Sequence, residues 1–163
     1  MTAGEWAIRG TVWLAMAGYF AGVYGLLRPR SRTTRWVWAG ACELYFCHII
    51  AAFHFAHDWN HAAAVASVSE ASEALIGRPF GAGIWFNYAL LIVWAFDAAW
   101  LWLGDRSYFR RPKALSYAIH GFIFFMMING AIVFAPNYVR WPSVAACGLL
   151  GWAWFAGPTR AQR

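Results

Sequence analysis

Apolar and polar positions alternate along this chain in long blocks rather than residue by residue. Five stretches, 6–27, 36–57, 84–103, 114–135 and 138–157, are mostly apolar. At about 1.5 Å per residue, a helix over each is long enough to cross the ~30 Å hydrocarbon core of a bilayer. Short polar stretches rich in Arg, Pro and Gly separate them. The pattern predicts an all-α fold, a polytopic membrane helix bundle of about five transmembrane helices in one integral domain, 1–163. The alternative is four spans plus an interfacial C-terminal helix. The last stretch has Pro142 near its start and spans only if Arg140 snorkels to the headgroups.

The polar linker 62–83 carries a weaker pattern. Ser67 and Glu70 have the spacing of a capping box, and Val65, Val68, Leu75 and Ile76 fall on one helical face with Glu70 and Glu73 on another. A short amphipathic helix lying on the membrane surface is predicted there. In the first span Gly18 and Gly22 form a GxxxG, flanked by Ala17, Ala21 and Gly25. Small residues at that spacing let a second helix come close. We read it as internal packing, with dimerisation as the alternative.

Composition sharpens the assignment to a membrane. The 163 residues are 61% hydrophobic and 20% aromatic, with only 12% charged, far from a soluble domain. The net charge of +6 is not a nucleic-acid signal, because ten of the thirteen basic residues lie in three clusters, 28–35, 106–113 and 160–163. Loops on the cytoplasmic side have that character. Arg9, Arg78 and Arg140 are left for the other side, which puts the N-terminus outside and the C-terminus in the cytoplasm. This is the expectation for a bacterial inner-membrane protein, with the 62–83 linker periplasmic. No cleavable leader is expected, since Glu5 rather than a basic run precedes the first apolar stretch. The three cysteines, Cys42, Cys47 and Cys147, form no CxxC and no disulfide framework. Tryptophans near the segment ends suit interfacial belts.

Chemistry concentrates between Glu43 and His61. Read as one helix, Glu43, Cys47, His54, His57, Asp58 and His61 fall within an arc of roughly 100°. His54, His57 and His61 stand at i, i+3 and i+7, with Asp58 one turn from His54. Neutral imidazoles with a carboxylate suit a transition metal such as copper, iron or zinc, so these four residues are the expected metal ligands. Interfacial residues solvated by water are the competing reading. His57 and His61 lack the glutamate of the HExxH motif, which excludes a zincin.

Counting depth from the inner segment ends places Glu43, Asp97 and His120 at one level, about 9–10 Å in, with Cys47 one turn above Glu43. Ionisable groups inside spans are functional-site candidates by default. These could form a proton relay, a metal site, or a charge-paired lock with a protonated His120 between two carboxylates. Asn87 and Asn129 lie at an outer level near His54 and are candidates to support the metal site. A bis-histidine haem is disfavoured, because His54 and His120 differ by ~18 Å in depth. No glycine-rich nucleotide loop and no Ser/His/Asp arrangement is present. The leading expectation is a metal-binding membrane protein. The alternatives are a non-catalytic accessory subunit of a larger membrane complex, and a small proton-coupled carrier. Expected partners are the lipid bilayer and either other membrane subunits or further copies of the chain.

Overall fold

The computed structural model describes residues 2–28 and 31–156; the C-terminal basic cluster, with Arg160 and Arg163, lies outside them. Among the described residues the chain is all helical. Its seven helices are α1 (Ala3–Leu26), α2 (Arg32–Phe55), α3 (His61–Ile76), α4 (Gly83–Leu103), α5 (Asp105–Arg110), α6 (Lys113–Ile128) and α7 (Asn137–Ala156). A π-helical stretch, Asn129–Val133, carries α6 onward before α7 begins.

Three helices are long and apolar enough to cross a membrane: α2, α4, and α6 with its π-helical extension. Three such helices fit an integral membrane protein. The 24 residues of α1 and the 20 of α7 have the length. In α1, Glu5, Arg9 and the interspersed glycines, tryptophans and tyrosines dilute the apolar run. The expected count of five spans is not confirmed.

Helix ends follow local chemistry. Thr2 and Glu5 close a reciprocal capping box on α1, at 3.2 Å and 2.9 Å. Ser31 caps α2 by accepting from the Thr33 amide. The linker helix α3 does not start at the Ser67 capping box read from the sequence. Its cap lies seven residues earlier, where the Asn60 side chain accepts from the amides of Ala62 and Ala63. Gly77 ends α3 in the left-handed conformation, φ 70°.

Packing closes a ring. α1 lies along α2, α2 on α4, α4 on α6, and α7 against both the π-helical stretch and α1. α3 lies on α4. Gly18 and Gly22 let α1 and α2 approach. A Cβ on Gly18 would stand 2.7 Å from the Ala41 Cβ, and one on Gly22 would stand 2.7 Å from the Trp38 ring. The GxxxG is therefore used inside the chain. Trp38, so seated, packs with Tyr19 and Trp94 at ring distances of 5.3–5.8 Å. These rings, with Leu101 and Ile123, form the centre of the core.

One end of the ring, the basic end, carries Arg35, bridged to Asp105 at 2.9 Å, and the α5 turn. The opposite end carries α3. Gly22→Leu should destabilise the protein by about 1–3 kcal/mol, since the added side chain collides with Trp38. Gly121→Leu, where an added Cβ meets nothing within 4 Å, should change stability by no more than about 0.5 kcal/mol. Reversible unfolding in mixed detergent measures both.

Candidate functional site

Two features stand out, a sealed polar network towards the basic end and a large cavity towards α3. The network is centred on Asp97, a carboxylate with no exposure inside an apolar helix. Such a group is tolerated only if paired and fully hydrogen-bonded. Its Oδ1 accepts from Arg111 Nη1 at 2.5 Å. Its Oδ2 accepts from Trp38 Nε1 and from the Tyr108 hydroxyl, both at 3.0 Å. Arg111 is equally sealed, with its side chain 2% exposed. Its Nε donates to Ser116 Oγ at 2.9 Å and its Nη2 to His120 Nε2 at 2.8 Å. The guanidinium also lies 4.0 Å from the Tyr108 ring centroid, a cation–π contact.

Sequence explains how a loop arginine comes to lie there. A residue before proline is held extended, and Arg111, before Pro112, has φ −60° and ψ 152°. That stops α5 after six residues, and α6 begins at Lys113. The short turn leaves Tyr108 and Arg111 beneath the last turns of α4, within reach of Asp97.

Donor counting fixes the protons. Arginine can only donate, so His120 Nε2 is an acceptor and the imidazole is neutral, with its proton on Nδ1. The single Tyr108 proton goes to Asp97 at 3.0 Å, because His120 Nε2, at 3.3 Å, has no proton to give and its lone pair is taken by Arg111. Burial, and the Asp97 carboxylate beside it, push the Tyr108 hydroxyl above the ordinary phenol range, so it remains a donor. One anion and one cation cancel. This arrangement is a lock that ties α2, α4, α5 and α6 together.

The network holds Asp97 and His120 from the sequence-derived trio but not Glu43. Glu43 is exposed on the outer face of α2, as is Cys47 one turn on. Arg111, not a protonated histidine, supplies the positive charge. Sequence reasoning assigned Arg111 to a topogenic loop and passed over Tyr108, Trp38 and Ser116. The available signal was Asp97 itself, since a buried acid needs a cation within reach and Arg111 lies in the next loop at the same end.

The histidine stretch is not one helix. α2 ends at Phe55, and Asp58 and Trp59 take left-handed backbone conformations, φ 46° and 59°. Asn60 then starts α3 with His61 as its first residue. The single face expected for His54, His57, Asp58 and His61 is broken by this turn. His54 Nδ1 accepts from Trp59 Nε1 at 3.3 Å. His61 lies 3.1 Å from the Tyr88 hydroxyl and stacks on that ring. His57 lies edge-on to Phe53. Among the described residues no group of three or more His, Cys, Asp or Glu side chains is placed to hold a metal ion.

The cavity has a volume of about 1210 Å³ and lies between α1, α2, α3, α4, the end of α6, the π-helical stretch and the start of α7. Its walls are mainly apolar, with Met16, Leu90, Phe125, Met127, Val139, and Val68 and Leu75 from α3. A few polar groups converge on it: Arg9, Tyr45, His48, Ser72, Asn87, Asn129 and Tyr138. His48 Nδ1 donates to the Ile8 carbonyl at 2.9 Å, which leaves its Nε2 lone pair as an acceptor. The Tyr45 hydroxyl donates to the backbone carbonyl of Asn87 at 3.3 Å. Asn129 opens the π-helical stretch, and its Nδ2 donates to the Phe125 carbonyl at 2.8 Å. Single π turns are frequent at functional sites, because the extra residue re-aims the side chains that follow. Asn87 and Asn129, chosen from the sequence as supports of a metal site, both line this cavity.

No protein-family model matches the chain, and neither a curated protein nor a solved structure matches it.

The lock has a measurable signature. Asp97→Leu leaves Arg111 buried without its counter-charge and should cost about 3–5 kcal/mol. The double variant Asp97→Leu/Arg111→Met removes both charges and should recover most of that loss. Unfolding in mixed detergent, run on both variants, measures the difference.

Proposed function

We propose that the protein binds an amphipathic, lipid-soluble molecule in the cavity roofed by α3. The ligand has a long apolar body and a small polar head that donates a hydrogen bond. What supports this reading is the cavity itself. Ligand sites are concave and mostly apolar with a few convergent polar groups, and typically span roughly 300–1,000 Å³. This one is slightly larger, at about 1210 Å³. His48 Nε2 offers the head group an acceptor, and the Asn87 amide offers both a donor and an acceptor. The apolar walls suit a chain of the isoprenoid or acyl kind.

In this reading the sealed network beyond the Trp38–Trp94 core is a structural floor and carries no proton to the ligand. The same reading takes α1 and α7 as further spans and puts the basic end on the cytoplasmic side, as the excess of Lys and Arg there argues. The ligand would then enter from the outer leaflet, where the amphipathic α3 covers the site.

Farnesol, with an isoprenoid chain and one hydroxyl, is a suitable probe. Near 100 times its dissociation constant it should stabilise the protein by about 2.7 kcal/mol and raise Tm by ~5 °C or more. Ala71→Trp puts a large ring on an exposed α3 position that lines the cavity, and should abolish the shift without lowering the ligand-free Tm. His48→Phe keeps the volume and removes the acceptor, so it should weaken farnesol more than a chain without a hydroxyl. Equal shifts in wild type and in Ala71→Trp would mean that the cavity is not the site.

A further inference from the structure

Glu43 lies at the middle of α2, one of the three helices able to cross a membrane. Eleven residues of the helix precede it and twelve follow, which puts it ~17 Å from either end. It is exposed on the protein surface, and among the described residues it makes no hydrogen bond or ion pair. A charged side chain inside the hydrocarbon core is costly, and such groups face protein or water rather than lipid. Asp97 shows how this chain satisfies a carboxylate within a span, and Glu43 receives none of those partners.

The surface around Glu43 is continuous. Trp36, Glu43, Cys47, Ile50 and His54 follow one another three, four or seven residues apart and are all exposed. A Cβ added at Gly40, within the same stripe, would meet nothing within 4 Å. We infer that this face of α2 docks a transmembrane helix of a different chain, one that presents a basic side chain within the span, opposite Glu43.

Charge complementarity selects that partner over a second copy. A second copy would need a free cation at the depth of Glu43, and the described residues supply none. Arg111 is committed to Asp97, and His120 to Arg111. Arg140 donates to the carbonyls of Ile132 and Ala135. His48 already binds Ile8 and lines the cavity rather than this face. Two copies meeting on this stripe would set carboxylate against carboxylate. The inference does not depend on a ligand in the cavity.

The test uses the full chain in its native membrane, solubilised in mild detergent, with assembly size read by native electrophoresis and light scattering. Wild type should run as a hetero-complex. Glu43→Leu should lower the ratio of assembled to free chain about tenfold, and Glu43→Lys should lower it further. Both variants should keep the Tm of the isolated chain, since Glu43 touches neither the core nor the cavity. Ile92→Ala, exposed on α4, should leave assembly intact. A thiol crosslinker at Cys47 should capture a helix bearing Lys, Arg or His. Changing that residue to Glu should restore assembly with Glu43→Lys. A free wild-type chain, a Cys47–Cys47 homodimer, or a complex indifferent to Glu43→Leu would each overturn the proposal.

Discussion

A carboxylate sealed in an apolar helix constrains everything near it. Asp97 sits two turns from the end of α4 with no exposure, and each of its oxygens needs a donor. Trp38 comes from α2, Tyr108 from α5, and Arg111 from the turn before α6. Satisfying one residue thus fixes the relative placement of four elements. It also demands a short α4–α6 connection, which Gly104 and Pro112 provide at either end of α5. Trp38 can reach Asp97 only because Gly22 gives its ring room against α1. The GxxxG and the polar network, far apart in sequence, belong to one packing solution.

The chain is closely packed at one end and hollow at the other. Large aromatic rings fill the space beside the lock, while past Leu90 and Tyr45 the helices diverge around the cavity. Lipid supplies no hydrophobic force to close such a gap, because lipid tails are as apolar as the walls. What a gap forfeits there is van der Waals contact, which an apolar occupant restores. Its polar groups are the informative part, since each would otherwise be a liability within a span.

The helices were legible because apolar blocks of about twenty residues are a strong signal. Depth counting, with a fixed rise per residue, put Glu43, Asp97 and His120 at one level, and the network joins only the last two. Three things were not legible. Periodicity tells which residues share a helix face, but in lipid both faces are apolar, so it could not say that Glu43 and Cys47 turn away from the protein. A run of histidines at helical spacing gave no warning that Asp58 and Trp59 adopt left-handed backbone, although Asn60 ahead of an alanine-rich run was a capping signal. Arg111 was counted as a loop charge, because folding a loop residue inward is decided by tertiary need rather than by its neighbours.

A cavity that exists to hold a molecule should be filled in the native membrane. The most direct measurement is native mass spectrometry of the protein extracted gently from its own membrane. One discrete, lipid-soluble adduct at about one per chain is expected, absent from Ala71→Trp. A chain that emerges bare, or with the same mixture of bulk phospholipids in both forms, would contradict it.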